Sequence, residues 1–374
     1  MSGDAATLSV FFAYRDSALR RAALQAPVGA AERYCLFGLD QLASRGVAVR
    51  HNLEVEPPAW ASALDRAANR LLYGLGGYGG DFASVFPFLG AANRADVVLS
   101  TVDTVGIPLA LLARAGLLRS PLVYVAVGLP ERLERLSGEG MRRLYASALG
   151  RAYAIVSYSA YEAEALRRAL GHTRVVFLPF GVDTEALRPS FGVLADTDVV
   201  SIGADPRRDY PLLLRVAARR PEISFRLVVS AEHARALGSP PANVAVEVDL
   251  PLAAALDRAR KARLVCLPVR ENSYSGATTT LLQAMSMAKP VVVSRTVAIA
   301  SGYDLEDGVN CRLVAPGDET ALERAMVELL ADPEGAARLG ARARETAERS
   351  LSWDRYADAL LELLQEAAGA RGGR

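Results

Sequence analysis

Asp198-Val199-Val200-Ser201-Ile202-Gly203-Ala204-Asp205-Pro206-Arg207-Arg208-Asp209-Tyr210 is the stretch from which the fold can be read. An apolar run ends at a glycine, a polar turn follows, and helical periodicity runs from Tyr210 to Arg220. That is a strand, a loop and a helix in succession. The unit recurs downstream, with strands expected at 225–229, 264–267 and 290–294 and helices at 252–260 and 279–287. It recurs upstream as well. Strands are expected there at 8–14, 47–51, 96–100, 122–126, 154–157 and 175–178, with helices such as 32–45 and 160–170 between them. The strands are largely apolar, as strands covered on both faces are, which points to parallel sheets built from βαβ units.

The alternation breaks once, at Pro179-Phe180-Gly181-Val182-Asp183 and Pro189-Ser190, which are turn-rich and aperiodic. A chain of 374 residues has the length for two domains. The expected fold class is therefore α/β, with two doubly wound Rossmann-like domains at 1–180 and 196–350, a linker at 181–195, and a deep cleft between the two halves. Ligands of open parallel sheets bind beyond the carboxyl ends of the strands. Function is expected in the strand-to-helix loops.

Composition narrows the function class. Lys+Arg total 43 against 42 Asp+Glu, a formal net charge of +1, so no basic patch argues for nucleic acid. The hydrophobic fraction of 51% belongs to a globular chain and excludes disorder. Cys35, Cys266 and Cys311 are far apart, as are His51, His172 and His233, so no metal-ligand spacing or disulfide framework is present. No Gly-x-Ser-x-Gly elbow supports a Ser-His-Asp triad. Met1-Ser2-Gly3-Asp4 is not basic, and every apolar stretch is interrupted well short of about 18 residues. A cytoplasmic location with at most peripheral membrane contact is expected, and neither metal nor cofactor.

Two loops carry chemistry. In the first, Gly203 permits close backbone approach, and Arg207 and Arg208 offer guanidinium forks that match phosphate oxygens ahead of a helix start. The alternative is a solvated turn with Arg207 paired to Asp205 and Arg208 to Asp209. The second loop is Arg270-Glu271-Asn272-Ser273-Tyr274-Ser275-Gly276-Ala277-Thr278-Thr279-Thr280, leading into a helix. Ser275 reads as its N-cap, and Gly276 and Ala277 leave first-turn N–H groups accessible. Glu271 reads as a carboxylate for sugar hydroxyls or as a surface loop residue.

These residues resemble a family. Gln283-Ala284-Met285-Ser286-Met287-Ala288-Lys289-Pro290-Val291-Val292-Val293 resembles the "E-A-M-A-x-G-K-P-V-V" segment of retaining family-4 glycosyltransferases of GT-B fold (glycosyl transferases group 1). Glu306-Asp307-Gly308-Val309-Asn310-Cys311-Arg312-Leu313-Val314-Ala315-Pro316-Gly317-Asp318 resembles their "E-D-G-x-N-G-x-L-V-x-P-G-D". Phe180-Gly181-Val182-Asp183 with Pro189 resembles their linker motif, and Gly29-Ala30-Ala31-Glu32-Arg33 their "G-G-A-E-R". Ser352-Trp353 resembles the late "F-S-W" before a final helix, here about 352–368, that packs back on the N-terminal domain.

The resemblance implies a metal-independent transfer of a hexose-type sugar, with retention, from a nucleoside-diphosphate sugar to an acceptor hydroxyl. UDP is the favoured nucleotide, and the acceptor is a glycan, a lipid-linked molecule or a small natural product. It implies that Gly203, Arg207, Arg208, Glu271, Ser275, Gly276, Ala277, Thr278 and Gln283 bind the donor in the C-terminal domain. Arg208 would hold the diphosphate, Glu271 the sugar hydroxyls and Gln283 the ribose. Gly29 and Glu32 would form a loop at the cleft from the acceptor-binding N-terminal domain. A GT-B epimerase, a phosphorylase and a non-catalytic sugar-nucleotide-binding relative are the alternatives.

The sequence departs from the pattern in four places. Ala204 replaces the usual Arg, Gln283 replaces Glu, and Val127-Gly128 stands where a His-Gly is often found. The family's spacing counted back from Gln283 falls on Ser275 rather than on Glu271. Asp103, just after a strand, is an acceptor-side catalytic candidate or a helix cap. Gly74-Leu75-Gly76-Gly77-Tyr78-Gly79-Gly80-Asp81 reads as a mobile acceptor-side loop, Asp196-Thr197-Asp198, which has metal-binding Asp-x-Asp spacing, as a turn or strand cap, and Met141-Arg142-Arg143 as part of a solvated helix face rather than a basic helix that touches anionic membrane.

Overall fold

The computed structural model describes residues 7–372 apart from His172, Phe191 and Ser275. The chain divides into two compact units, one of residues 1–28, 35–178 and 356–374, the other of residues 29–34 and 179–355. Each contains one six-stranded, wholly parallel sheet.

The first sheet runs β2-β1-β3-β4-β5-β6, with β1 Ser9–Ala13, β2 Ala48–His51, β3 Val97–Ser100, β4 Leu122–Ala126, β5 Ala154–Ser157 and β6 Val175–Phe177. The second runs β12-β11-β10-β7-β8-β9, with β7 Thr197–Gly203, β8 Phe225–Val229, β9 Val244–Val248, β10 Ala262–Leu267, β11 Val291–Ser294 and β12 Arg312–Val314. Every residue of β3, β4, β5 and β11 is buried. This is why those strands read as unbroken apolar runs. In each sheet the order reverses beside the first strand of the unit, so β1 and β7 sit at topological switch points.

Small residues let helices close on these sheets. A Cβ at Gly106 would lie 2.4 Å from the Tyr124 ring, so the Asp103–Arg114 helix can reach β4 only with glycine there. Pro108 sits inside that helix and has no N–H for the Thr104 carbonyl. Asp81 N–H donates to that carbonyl at 2.7 Å instead, docking the glycine-rich loop. The loop is further tied by Asn69, which accepts from Gly80 N–H at 3.0 Å and donates to its carbonyl at 2.8 Å, and by the Tyr145 hydroxyl on the Tyr78 backbone. The mobile loop expected at 74–81 is thus corrected to a pinned one.

The helix expected over 32–45 is also corrected. It is a 3-10 turn, Ala31–Leu36, and a short helix, Leu39–Ser44, separated by Phe37 and Gly38 at positive φ. A Cβ on Gly38 would lie 3.0 Å from the Tyr356 ring, contributed by the far end of the chain. No helix among the described residues is long and apolar enough to cross a membrane.

Candidate functional site

β7 ends at Gly203, whose φ of +157° and missing side chain both serve one neighbour. A Cβ there would lie 2.4 Å from Arg208 Nε, 2.6 Å from Nη2 and 2.7 Å from Cζ. The glycine therefore lets a guanidinium lie flat on the strand end. Arg208 is only 2% exposed. Its Nη2 donates to Thr280 Oγ1 at 3.2 Å, while Nε and Nη1 are buried without a partner. No carboxylate forms an ion pair with it among the described residues. The pairing of Arg208 with Asp209 that the alternative reading required is not formed: Asp209 Oδ1 accepts from Leu212 N–H, capping the Tyr210–Arg219 helix. Burial pulls the Arg208 guanidinium below its ordinary pKa, opposed by Tyr210 and Asp205.

Two loops are zipped together around this arginine. Arg208 bridges Val269 antiparallel, Asp209 N–H donates to the Pro268 carbonyl at 2.9 Å, and Arg270 N–H donates to the Arg207 carbonyl at 2.8 Å. The Tyr210 hydroxyl donates to the Gly203 carbonyl at 2.6 Å and fixes the strand end. Asp205 accepts from Arg207 N–H at 2.7 Å and from the Tyr274 hydroxyl at 3.2 Å. A Cβ on Gly276 would lie 3.0 Å from the Asp205 carboxyl group. A carboxylate thus stands beside the approach to the next helix.

That helix, Thr278–Ser286, is capped by Ala277, which makes no side-chain cap bond. Ser275, read from the sequence as the cap, lies outside the described residues. The first turn therefore presents N–H groups that no side chain of Ala277 satisfies. The Thr278 hydroxyl and the Asn272 side-chain carbonyl are buried and unpartnered, as is the Ser201 hydroxyl on β7. With Arg208, five of the nine buried unpartnered side-chain atoms among the described residues lie at the carboxyl ends of β7 and β10. Each such atom costs ~1–3 kcal/mol in a closed protein, so their concentration marks a place built for polar ligand atoms.

Glu271 is exposed, and one of its carboxylate oxygens accepts from Asn272 N–H at 3.0 Å and Val297 N–H at 2.9 Å. Gln283 is buried, one helical turn beyond Thr280 and on the same face. Arg207 is half-buried, with its backbone engaged on both sides. Asn272, Tyr274 and Thr280 take part in the site without having been singled out in the sequence. Their signal was only adjacency to Glu271 and Gly276.

Gly29, at positive φ, and Glu32 belong to a short segment that groups with the second unit. Asp103 lies in the first unit and opens the Asp103–Arg114 helix without capping it. Its buried carboxylate accepts from the Tyr124 hydroxyl at 2.9 Å, Val127 N–H at 3.2 Å and Arg132 Nε at 3.1 Å. Burial raises its pKa to about 6. A second buried carboxylate, Glu162, was not anticipated. It accepts from Gly128 N–H at 2.7 Å, Leu129 N–H at 3.0 Å and the Ser157 hydroxyl at 2.6 Å, and burial, aided by Asp103, lifts it to about 7. Arg132 links this network to the glycine-rich loop, its guanidinium 4.5 Å above the Tyr78 ring. Asp198 pairs with Ser224 and Arg263 at the amino ends of the central strands β7, β8 and β10, opposite the ends that carry the loops described above.

Residues 213–332 match the family model described as glycosyl transferases group 1. Over 207 residues the chain is 27% identical to an MMP alpha-(1->4)-mannosyltransferase of Mycolicibacterium hassiacum, a match spanning 51% of this chain and 48% of that protein. The chain thus aligns with about half the length of this relative. Among solved structures it is similar to HepE from Anabaena in complex with UDP-glucose, at 18% identity and a TM-score of 0.68, covering 96% of this chain and all of that one. It is also similar to sucrose-phosphate synthase from Thermosynechococcus elongatus, at 17% identity and a TM-score of 0.72, covering 97% and 100%. The fold is GT-B. The Arg208 loop precedes the matched segment, and the Gly276 loop falls inside it.

Proposed function

We propose that this protein is a glycosyltransferase that moves a hexose-type sugar from a nucleoside-diphosphate sugar, UDP being favoured, to an acceptor hydroxyl with retention of configuration. One observation carries the reading: a buried guanidinium with two unpartnered N–H groups, seated on Gly203 beside an uncapped helix start. A diphosphate supplies the anionic oxygens that such a site lacks. The family model over 213–332, the mannosyltransferase match and the likeness to a UDP-glucose complex support the same substrate class.

Cleaving the donor's glycosidic C–O bond builds negative charge on the departing diphosphate. Arg208 and the N–H groups near Gly276, Ala277 and Thr278 stabilise that charge from fixed positions. The family residue absent at Ala204 is offset by the depth at which Arg208 is buried, because a charge acts more strongly where water is excluded. Asn272, Thr278 and Ser275 offer polar atoms to the ligand, Gln283 an amide to the ribose, and the outward part of Glu271 a carboxylate to the sugar hydroxyls. Arg207 stands beside them. Asp103, with Gly29 and Glu32, belongs to the acceptor side of this reading, and the three donors on Asp103 make it a positioning group for the turn at Val127 and Gly128. The leaving phosphate assists front-face attack, and the protein works in the cytoplasm without a metal.

The test is turnover of the Arg208→Ala enzyme with its matching donor and acceptor. A loss of roughly two to three orders of magnitude is expected. Wild-type turnover would overturn the assignment.

A further inference from the structure

The Ala59–Gly74 helix of the first unit is inside out. Its polar residues Asp65 and Asn69 face the protein: Asp65 Oδ1 accepts from Phe82 N–H at 2.8 Å, and Asn69 holds Gly80. Most of its large apolar residues face water, with Ala61 buried and Ala68 and Leu72 half-buried. Trp60, Leu64 and Leu71, with Leu75 just past the helix end, recur at intervals of four, seven and four residues and share one face. They are 55%, 40%, 63% and 55% exposed. Ala63 and Ala67 complete the exposed face, and only Ala61 of the whole helix is buried. Soluble helices bury the apolar stripe and solvate the polar one. The reversed arrangement leaves a continuous apolar ridge about 24 Å long, at 1.5 Å per residue.

The charges around the ridge select its occupant. Arg66 and Arg70 are exposed along one flank. The helix's single acid, Asp65, is turned inward. Of the acids just upstream, Glu54 is exposed with its carboxylate 4.0 Å from His51 Nε2, and Glu56 is exposed ahead of the helix start. Trp60 and Tyr73, the latter 57% exposed, mark the two ends of the helix. An antiparallel two-fold pairing with a second copy would bring the Arg66–Arg70 flanks together with no carboxylate between them, which disfavours self-association. Leucines and a tryptophan on one face with arginines at the margin are the composition of a helix that lies in a lipid headgroup layer. The long arginine stems let the guanidinium groups reach phosphates while the ridge sinks among acyl chains.

We propose that the outward face of the Ala59–Gly74 helix docks the protein on an anionic lipid surface, lying parallel to it. This stands independently of the donor site.

The experiment is co-sedimentation of the full chain with vesicles of phosphatidylcholine alone and of phosphatidylcholine mixed with phosphatidylglycerol, with tryptophan fluorescence recorded in parallel. The chain has two tryptophans, and Trp353 is buried, so a blue shift on vesicle addition reports on Trp60. The wild type is expected to pellet with the anionic vesicles and to shift to the blue, and to be released by high salt. Arg66→Gln with Arg70→Gln should weaken partitioning roughly 30-fold, the effect of two cations near such a surface. Leu64→Ser with Leu71→Ser should abolish it while leaving the thermal midpoint unchanged, because both side chains are exposed in the free protein. Three outcomes overturn the proposal: no pelleting and no blue shift with anionic vesicles, undiminished pelleting of the double serine variant, or a wild-type dimer in sedimentation velocity that the serine variant dissolves while neither protein binds vesicles.

Discussion

Replacing Arg208 with methionine separates what a ligand site costs from what it does. Arg208 Nε and Nη1 are buried without partners, and Nη2 makes one bond to Thr280. Leaving two donors unsatisfied costs ~1–3 kcal/mol each, and the lost Thr280 bond is worth ~0.5–1.5 kcal/mol. Methionine retains an unbranched stem that can fill the space beside Gly203 and carries no charge to desolvate. Arg208→Met should therefore stabilise the ligand-free protein by about 0.5–5 kcal/mol. At about 2–4 °C per kcal/mol for a unit of this size, the midpoint should rise by roughly 1–20 °C. Scanning calorimetry with and without nucleoside diphosphate reads both effects. The wild type should melt lower without ligand and rise on its addition. The variant should melt higher and not respond. A ligand-free midpoint several degrees below wild type would refute the reasoning, because it would mean the guanidinium holds the fold together.

Three further outcomes follow from the same structure. Gly203→Ala places a Cβ 2.4 Å from Arg208 Nε and should displace the guanidinium, weakening nucleotide binding about tenfold or more in titration calorimetry while the fold persists. Asp205→Asn removes a negative charge beside Gly276 and should tighten diphosphate binding about fivefold, measured by the same titration, with little effect on the nucleoside alone. Glu162 and Asp103 have folded pKa values of about 7 and about 6, above their ordinary values of 4.5 and 3.8, so the folded state binds more protons than the unfolded one across that interval. Stability should then rise as pH falls from 8 towards 5, and Glu162→Gln should flatten that slope in thermal melts.

Most of the sheet architecture was legible because its strands are buried on both faces, and a continuous apolar run survives in any reading of the chain. Two strands escaped for the opposite reason. Val244–Val248 is an edge strand with no fully buried residue, and Arg312–Val314 is three residues long at the other edge. The break at Phe37–Gly38 depends on the Tyr356 ring, a contact that local periodicity cannot report. The donor loops were legible as strand-to-helix turns with a glycine, but the state of Arg208 was not. Locally it stands beside Asp209 and close to Asp205, which suggests an ion pair. In the fold, one carboxylate caps a helix and the other turns to Tyr274, leaving the arginine unpaired. The pairing of Glu162 with the Gly128 turn was equally hidden, since 34 residues separate them and a glutamate on a helix reads as solvated.

The role proposed for the Arg208 pocket is recognition of a diphosphate. Titration calorimetry of the wild type with UDP, GDP, ADP and TDP, each beside its monophosphate, tests it most directly. One diphosphate is expected to bind at least tenfold more tightly than its monophosphate, and Arg208→Met should erase that difference. Equal binding of mono- and diphosphate, or a diphosphate preference that survives in Arg208→Met, would contradict it.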